Sequence, residues 1–303
     1  MPDSAQTQFA PAKINLFLHV GPLQSDGYHP VVSLMVFADV GDTLRLRGAA
    51  EMGFGLEGPF AGALGPKGDN LVLAARDRLL ATLAAPPRSF HLTLDKQVPI
   101  AAGLGGGSAD AAAALRLIGR HLAAAGLAGP DGETLTALAR SLGADVAACL
   151  DAVPVIASGR GDLLAAAPLL PTLAGVLVNP RAPAPTGAVY GAFDAAGSPG
   201  RADAPVLPPR FDTAEQVVAF LEQTRNDLEA PALTVQPAIG AVLAALTAST
   251  EALLARMSGS GATCFALCAG PGPAGRLAAR LAADHPTWWV RPCALAGQGL
   301  RNR

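Results

Sequence analysis

From Lys13 to Val20 apolar Ile14, Leu16, Leu18 and Val20 fall on one side, and Lys13, Asn15, Phe17 and His19 on the other. That is the two-residue period of a β-strand, and Pro11 stands just ahead of it, where a strand tolerates proline. Val31 to Val40 reads as a second strand. Gly41-Asp42 then reads as a tight turn and Thr43 to Arg47 as the returning arm of a hairpin, with Leu44 and Leu46 alternating against Arg45 and Arg47. Gly48 to Gly68 is rich in Gly, Pro and Ala and reads as loop with short strand pieces. Leu73, Leu79, Leu80 and Leu83 recur at helical spacing, which predicts a helix from Leu71 to about Ala84, capped by Asp69-Asn70 and ended by Pro86-Pro87. Phe90, Leu92 and Leu94 alternate again and lead through Lys96 to Pro99.

The stretch from Pro99 to Leu115 is the strongest local signal. It carries Ala102, then Gly103, Leu104, Gly105, Gly106 and Gly107, then Ser108, Ala109 and Asp110 at the head of an alanine-rich run. Glycines let the backbone press its N–H groups against a ligand, and a helix opening there adds unpaired N–H donors and a positive dipole end. Together they make a site for a phosphate chain. Ser108 reads as the N-cap, with Asp110 in the first turn where a carboxylate is favoured. The helix runs to about Ala125, with Gly126 as its stop.

A further helix starts at Asp131-Gly-Glu133, runs through Leu142 and ends at Gly143. Asp145 is the one charged residue between Arg140 and Asp151; from its position alone it reads first as an N-cap and second as a reactive carboxylate. Lys13 reads equally as a solvated edge lysine or a functional one. Val153 to Ala157 is a short strand and Ser158-Gly-Arg-Gly-Asp162 a turn. A boundary near residue 160 divides the chain into domains 1–160 and 161–303. Beyond it, strands are expected at 175–180, 264–268 and 288–295, and helices at 213–221, 235–247 and 273–283. Arg181 to Arg210 is long for a structureless connection and is expected to fold partly over a site. Met257-Ser-Gly-Ser-Gly-Ala-Thr263 is a second glycine turn, with Ser258, Gly259, Ser260 and Gly261 placed to meet a ligand or another loop.

Composition narrows the class. The 303 residues are 50% hydrophobic, 5% aromatic and 15% charged, so small aliphatic side chains must fill the core. A net charge of −2 argues against a partner held by phosphate neutralisation along nucleic acid. The four cysteines, Cys149, Cys264, Cys268 and Cys293, match no zinc spacing and no disulfide framework, which fits a reducing compartment. Met1 to Phe9 has no apolar signal core, and no apolar run reaches the length of a membrane span. A cytoplasmic protein with neither nucleic acid nor membrane as partner is expected. No Gly-Lys-Ser/Thr completes a Walker A loop, and no ribose-binding acid follows the glycines at dinucleotide-fold spacing.

Three pieces in order, a Pro-Ala-Lys-Ile-Asn strand, a Pro-x-x-x-Gly-Leu-Gly-Gly-Gly-Ser loop and a late Ser-Gly-Ser-Gly-Ala turn, make the chain similar to the GHMP kinase superfamily of small-molecule kinases. Ala10-Pro-Ala-Lys-Ile-Asn-Leu16, Asp26-Gly-Tyr-His29, Gly143-Ala-Asp-Val146 and Asn226-Asp-Leu-Glu229 narrow the resemblance to one branch, whose acceptor is a small molecule linked to cytidine diphosphate. The resemblance implies an α/β (α+β) fold of two domains, the first like ribosomal protein S5 domain 2 and the second ferredoxin-like. It implies ATP and Mg²⁺, with Lys13 and Asp145 as the catalytic pair. ATP would contact Asn70, Lys96, Pro99 and the Ala102–Ala109 loop, supported by the 258–261 turn. The acceptor would meet Asn15, Tyr28 and His29. No metal-ligand set of protein residues is expected, and the state is expected to be monomeric or weakly homodimeric. An acceptor such as homoserine, mevalonate or a sugar is the alternative within the superfamily, and a non-catalytic nucleotide-binding regulator is the alternative outside catalysis. Ala147 and Pro30 depart from the family pattern beside Asp145 and His29 without removing a functional group.

Overall fold

The structure, a computed structural model, describes residues 5–64, 70–84, 87–127, 129–197 and 200–296. Asp69, Pro86 and the segment Met1 to Ser4, all used in the sequence reading, lie outside the described residues.

Strand β1 (Gln6–Val20) pairs antiparallel with β2 (Val31–Gly48) along almost its whole length, from Gln6 opposite Leu46 to Val20 opposite Val31. The hairpin expected at Gly41-Asp42 is therefore absent, and β2 is one continuous strand. Gly41 is needed for a close crossing, because a Cβ there would lie 2.1 Å from the Ala10 carbonyl oxygen beside the register shift at Pro11/Lys13. Asp42 is buried and structural: Oδ1 accepts from the N–H groups of Gln97 (2.5 Å) and Val98 (3.0 Å).

After β3 (Gly53–Glu57) come α1 (Leu71–Leu80), β4 (Phe90–Asp95), α2 (Gly106–Ala124), α3 (Gly132–Leu142), α4 (Ala144–Asp151), β5 (Val155–Ser158) and β6 (Leu163–Ala166). The second half contributes β7 (Leu173–Asn179), α5 (Thr186–Ala195), α6 (Ala214–Leu221), α7 (Glu229–Val235), α8 (Ala238–Thr247), β8 (Ala252–Met257), β9 (Cys264–Cys268), α9 (Pro271–Asp284) and β10 (Trp289–Ala296). The strands form one mixed sheet in the order β3-β4-β2-β10-β7-β9-β8, with β1 and β5 also on β2, and β6 beside β5. The β3–β4 pair is parallel. Four elements were not foreseen: β6, α5, inside the 181–210 connection, α7, and β8.

Alanines set how closely α2 approaches the sheet. Ala109 and Ala111 to Ala114 are buried with Leu115, Leu117 and Ile118 against Leu44, Leu46, Leu92 and Leu94. Each of those large side chains contributes roughly 1.5–3 kcal/mol by leaving water. Ile14, Leu16 and Phe17 of β1 pack instead with Leu177 and Phe265 of the other half. Both faces of β1 are thereby covered, and Lys13, Asn15 and His19 are buried polar residues. The solvated-edge reading of Lys13 does not hold. Among the described residues no helix is long and apolar enough to cross a membrane.

Candidate active site

A cleft of about 850 Å³ opens between the head of α2 and α5. Its lining includes Lys13, Asn15, Tyr28, His29, Asn70, Lys96, Pro99, Ala102, Gly103, Gly105 to Ser108, Asp145, Gly259 and Ser260. Leu104 and Ala109 do not line it. Their side chains are buried in the cores, although the Leu104 carbonyl accepts the Lys13 N–H (2.8 Å).

The glycine loop differs from its reading in one respect. Gly105, at φ +59°, takes the N-cap position in the left-handed region, and Ser108 lies in the helix's first turn rather than capping it. The first helical bond runs from Ala109 N–H to Gly105 O (2.8 Å), so the N–H groups of Gly106, Gly107 and Ser108 have no partner within the helix. These donors face the cleft as an anion cradle. The loop is fixed from behind. Ser258 Oγ donates to Gly103 O (2.9 Å) and accepts from Asn15 N–H (3.1 Å), while Thr263 N–H donates to Ala102 O (3.0 Å). Asn226 Nδ2 donates to the carbonyls of Met257 (2.9 Å) and Gly259 (2.8 Å), holding the second glycine turn.

Lys13 Nζ lies 3.0 Å from Asp145 Oδ2 and donates to Asn15 Oδ1 (2.9 Å). Asn15 Nδ2 in turn donates to Ser33 Oγ (2.7 Å). The Lys13 side chain is 6% exposed and that of Asp145 34%, so the ammonium is fixed inside while the carboxylate stays open to a ligand. Asp145 is in the first turn of α4 and caps nothing; Gly143 is the N-cap. The N-cap reading of Asp145 does not hold.

Lys96 and Asp110 also differ from expectation. Lys96 Nζ donates to Asp42 Oδ2 (2.5 Å) and Asp110 Oδ2 (2.7 Å) in a buried triad directly beneath Gly106. Asp110 is thus an internal partner of Lys96 rather than an exposed first-turn carboxylate. Burial pushes its carboxyl up to about 8, with Asp42 adding to the rise and the Lys96 ammonium opposing it. Burial disfavours the charge of Lys96, but the two carboxylates outweigh it and the ammonium is held above its ordinary range. Asn70 Oδ1 accepts from Val72 N–H (2.9 Å) and caps α1 as expected.

At the other end, His29 Nδ1 is 2.8 Å from Gly21 O, so that nitrogen carries the proton. Nε2 lies 3.2 Å from Asp194 Oδ1 without hydrogen-bond geometry. Tyr190 and Phe193 of α5 pack on the His29 ring, with centroids at 5.2 and 5.5 Å. Burial, with Asp145 nearby, pushes the Tyr190 hydroxyl up to about 12, so it remains a donor at neutral pH. Thr186, Tyr190 and Asp194 line the cleft and were not identified from the sequence. One signal was present: the chain has two tyrosines, and both line this cleft.

An anion cradle facing a lysine–aspartate pair, with an aromatic pocket beyond it, defines a phosphotransferase acting on a small molecule. Residues 70–159 match the family model described as GHMP kinases N terminal domain, and residues 210–287 that described as GHMP kinases C terminal. A 4-diphosphocytidyl-2-C-methyl-D-erythritol kinase of Caulobacter vibrioides is 54% identical over 289 residues, 95% of this chain and 98% of that protein. The protein of that name from Methylorubrum extorquens is 46% identical, covering 97% of this chain and 100% of its own. A crystal structure of 4-(cytidine 5'-diphospho)-2C-methyl-D-erythritol kinase superposes with a TM-score of 0.72 at 31% identity, covering 96% of this chain and 100% of that one. A homoserine kinase from Cytophaga hutchinsonii shares the fold, with a TM-score of 0.67 at 18% identity over 97% of this chain and 95% of that one. The chain belongs to the GHMP kinase family, in the group formed by the 4-diphosphocytidyl-2-C-methyl-D-erythritol kinases. It is an ATP-using enzyme with a two-domain α/β fold.

Proposed function

We propose that this chain transfers the γ-phosphoryl group of ATP to the 2-hydroxyl of 4-diphosphocytidyl-2-C-methyl-D-erythritol, a step in the non-mevalonate isoprenoid precursor pathway. The observation that carries the reading is the Lys13–Asp145 pair, 3.0 Å apart, set against the glycine cradle. The acceptor oxygen forms a bond to the γ-phosphorus while the bond from that phosphorus to the β,γ-bridging oxygen breaks, and ADP leaves. The hydroxyl proton passes to the Asp145 carboxylate, a contribution of roughly 10²–10⁴-fold for a positioned base. Lys13, held by Asn15, orients that carboxylate and counters negative charge on the reacting oxygens. The backbone of Gly103 to Ser108 and the turn of Ser258 to Gly261 hold the phosphate chain. Asn70, Pro99 and Ala102 border the nucleotide, while Lys96, paired with Asp42 and Asp110, supports the loop from beneath.

Among the described residues no three His, Cys, Asp or Glu side chains converge as a metal cage. Mg²⁺ would be held chiefly by phosphate oxygens and water, with the Ser108 hydroxyl as the oxygen donor on the loop. When bound, Mg²⁺ supplies neutralisation of phosphate charge.

His29 supports a cytosine acceptor. Its Nδ1–H is committed to Gly21 O and its Nε2 faces Asp194 Oδ1 at 3.2 Å, so the ring is held as a fixed wall of the cleft on which the base would rest. Tyr28 and Tyr190 supply aromatic faces for the base. Incubation with ATP and the cytidine diphospho-methylerythritol, against homoserine and mevalonate, tests the reading. Turnover of the first alone is expected, and turnover of either other acceptor at a higher kcat/KM refutes it.

A further inference from the structure

Arg160 stands in the β5–β6 turn, where Gly159 O accepts the Val31 N–H (2.8 Å) and Asp162 Oδ1 accepts the Arg160 N–H (3.0 Å). The sequence reads this Arg-Gly-Asp as turn chemistry and assigns the arginine nothing. In space its side chain leaves its own turn for the 21–30 loop. Nη2 lies 2.5 Å from Asp26 Oδ2, and the guanidinium carbon sits 4.3 Å from the centroid of the Tyr28 ring. Asp26 Oδ1 accepts the Tyr28 N–H (3.0 Å), so one carboxylate joins the arginine to the backbone of the residue whose ring it covers. Arg160 and Tyr28 both line the cleft.

Tyr28 is 55% exposed at the tip of a loop, where an uncovered ring would sample several rotamers. A guanidinium on one face fixes the ring and enriches the stack through the cation–π interaction. The opposite face is then left for a flat ligand. Resting on the acceptor reading above, we propose that Arg160 is a positioning residue for the acceptor's base: it locks the Tyr28 ring through Asp26 and the ring face, and so sets affinity for the cytosine end of the substrate.

The test compares wild type, Arg160→Ala and Arg160→Lys by steady-state kinetics, and by calorimetric binding of cytidine and of CDP. The Ala variant is expected to raise the acceptor KM about five- to tenfold, the size an exposed cation–π contact and an exposed ion pair supply together. Its kcat and ATP KM stay within twofold. Cytidine and CDP lose affinity by the same factor, and Lys, which keeps the charge without the planar face, falls between. An unchanged acceptor KM overturns the proposal. So does a loss confined to CDP, which would make Arg160 a phosphate contact, and so does an equal fall in kcat. Wild-type protein that neither binds cytidine nor phosphorylates the acceptor overturns the acceptor reading itself. Wild-type turnover with an indifferent Ala variant overturns only the role of Arg160.

Discussion

Replacing Asp145 by Asn removes the proton acceptor while keeping size and shape. A positioned base is worth about 10²–10⁴-fold, which is roughly 2.7–5.5 kcal/mol of barrier. The fold itself loses less. Breaking a fully buried ion pair costs about 3–5 kcal/mol, but the Asp145 side chain is 34% exposed and solvent screens part of the interaction. Lys13 also keeps its bond to Asn15 Oδ1. About 1–2 kcal/mol, or a few degrees in Tm, is the expected structural cost. The cradle is backbone and lies outside the change, so ATP affinity should hold within threefold. The assay is ADP release at saturating acceptor, paired with ATP binding by calorimetry. A kcat within threefold of wild type would refute Asp145 as the base. Loss of ATP binding in parallel with kcat would show that the pair holds the loop rather than performing the proton transfer.

Three other outcomes follow from the geometry. Gly105→Ala forces a side chain into φ +59° and puts its Cβ 3.1 Å from Lys13 Cε, so kcat/KM for ATP should fall at least about tenfold given about 1–2 kcal/mol of strain before any shift of Lys13; unchanged kinetics would contradict the close approach of loop and lysine. Asp110 has a folded value of about 8, above the ordinary carboxylate value of 3.8. The folded state therefore binds more protons than the unfolded one between those two values, and stability from this group falls as pH rises through that window. Thermal melts of Asp110→Asn should show a shallower decline from about pH 5 to about pH 8 than wild type, and a parallel decline would remove Asp110 as its source. Burial pushes the thiols of Cys149 and Cys268 up to about 12 and about 11, and all four cysteines are buried. Iodoacetamide at about pH 8 should label none in the native protein and all four in denaturant, as mass spectrometry would read directly.

The parts of the site that were legible in the chain are those made by backbone or by strict alternation. Glycine spacing marked the cradle, and the two-residue period put Lys13 and Asn15 on one face, where they are bonded. Family resemblance added the link to Asp145, which no local pattern joins to Lys13 across more than a hundred residues. What stayed hidden has physical causes. Gly41-Asp42 carries turn chemistry, yet Gly41 serves a backbone crossing and Asp42 accepts N–H groups 55 and 56 residues away. Helix α5 is rich in Ala and Gly, within a connection dense in Pro, and has only two buried residues, Val189 and Phe193. It shows little apolar periodicity, so Tyr190 and Asp194 went unassigned. Lys96 looked like a cation on the way to a nucleotide because its partners, Asp42 and Asp110, come from two other elements.

The central claim is that Lys13, Asp145 and the glycine cradle place a phosphoryl group on one particular hydroxyl. It is tested most directly by treating the cytidine diphospho-methylerythritol with ATP and locating the new phosphate by ³¹P and ¹³C NMR. The account predicts a single product phosphorylated at the 2-hydroxyl, with one ADP formed per product. Phosphate on another hydroxyl, or ADP formed without phosphorylated acceptor, would contradict it.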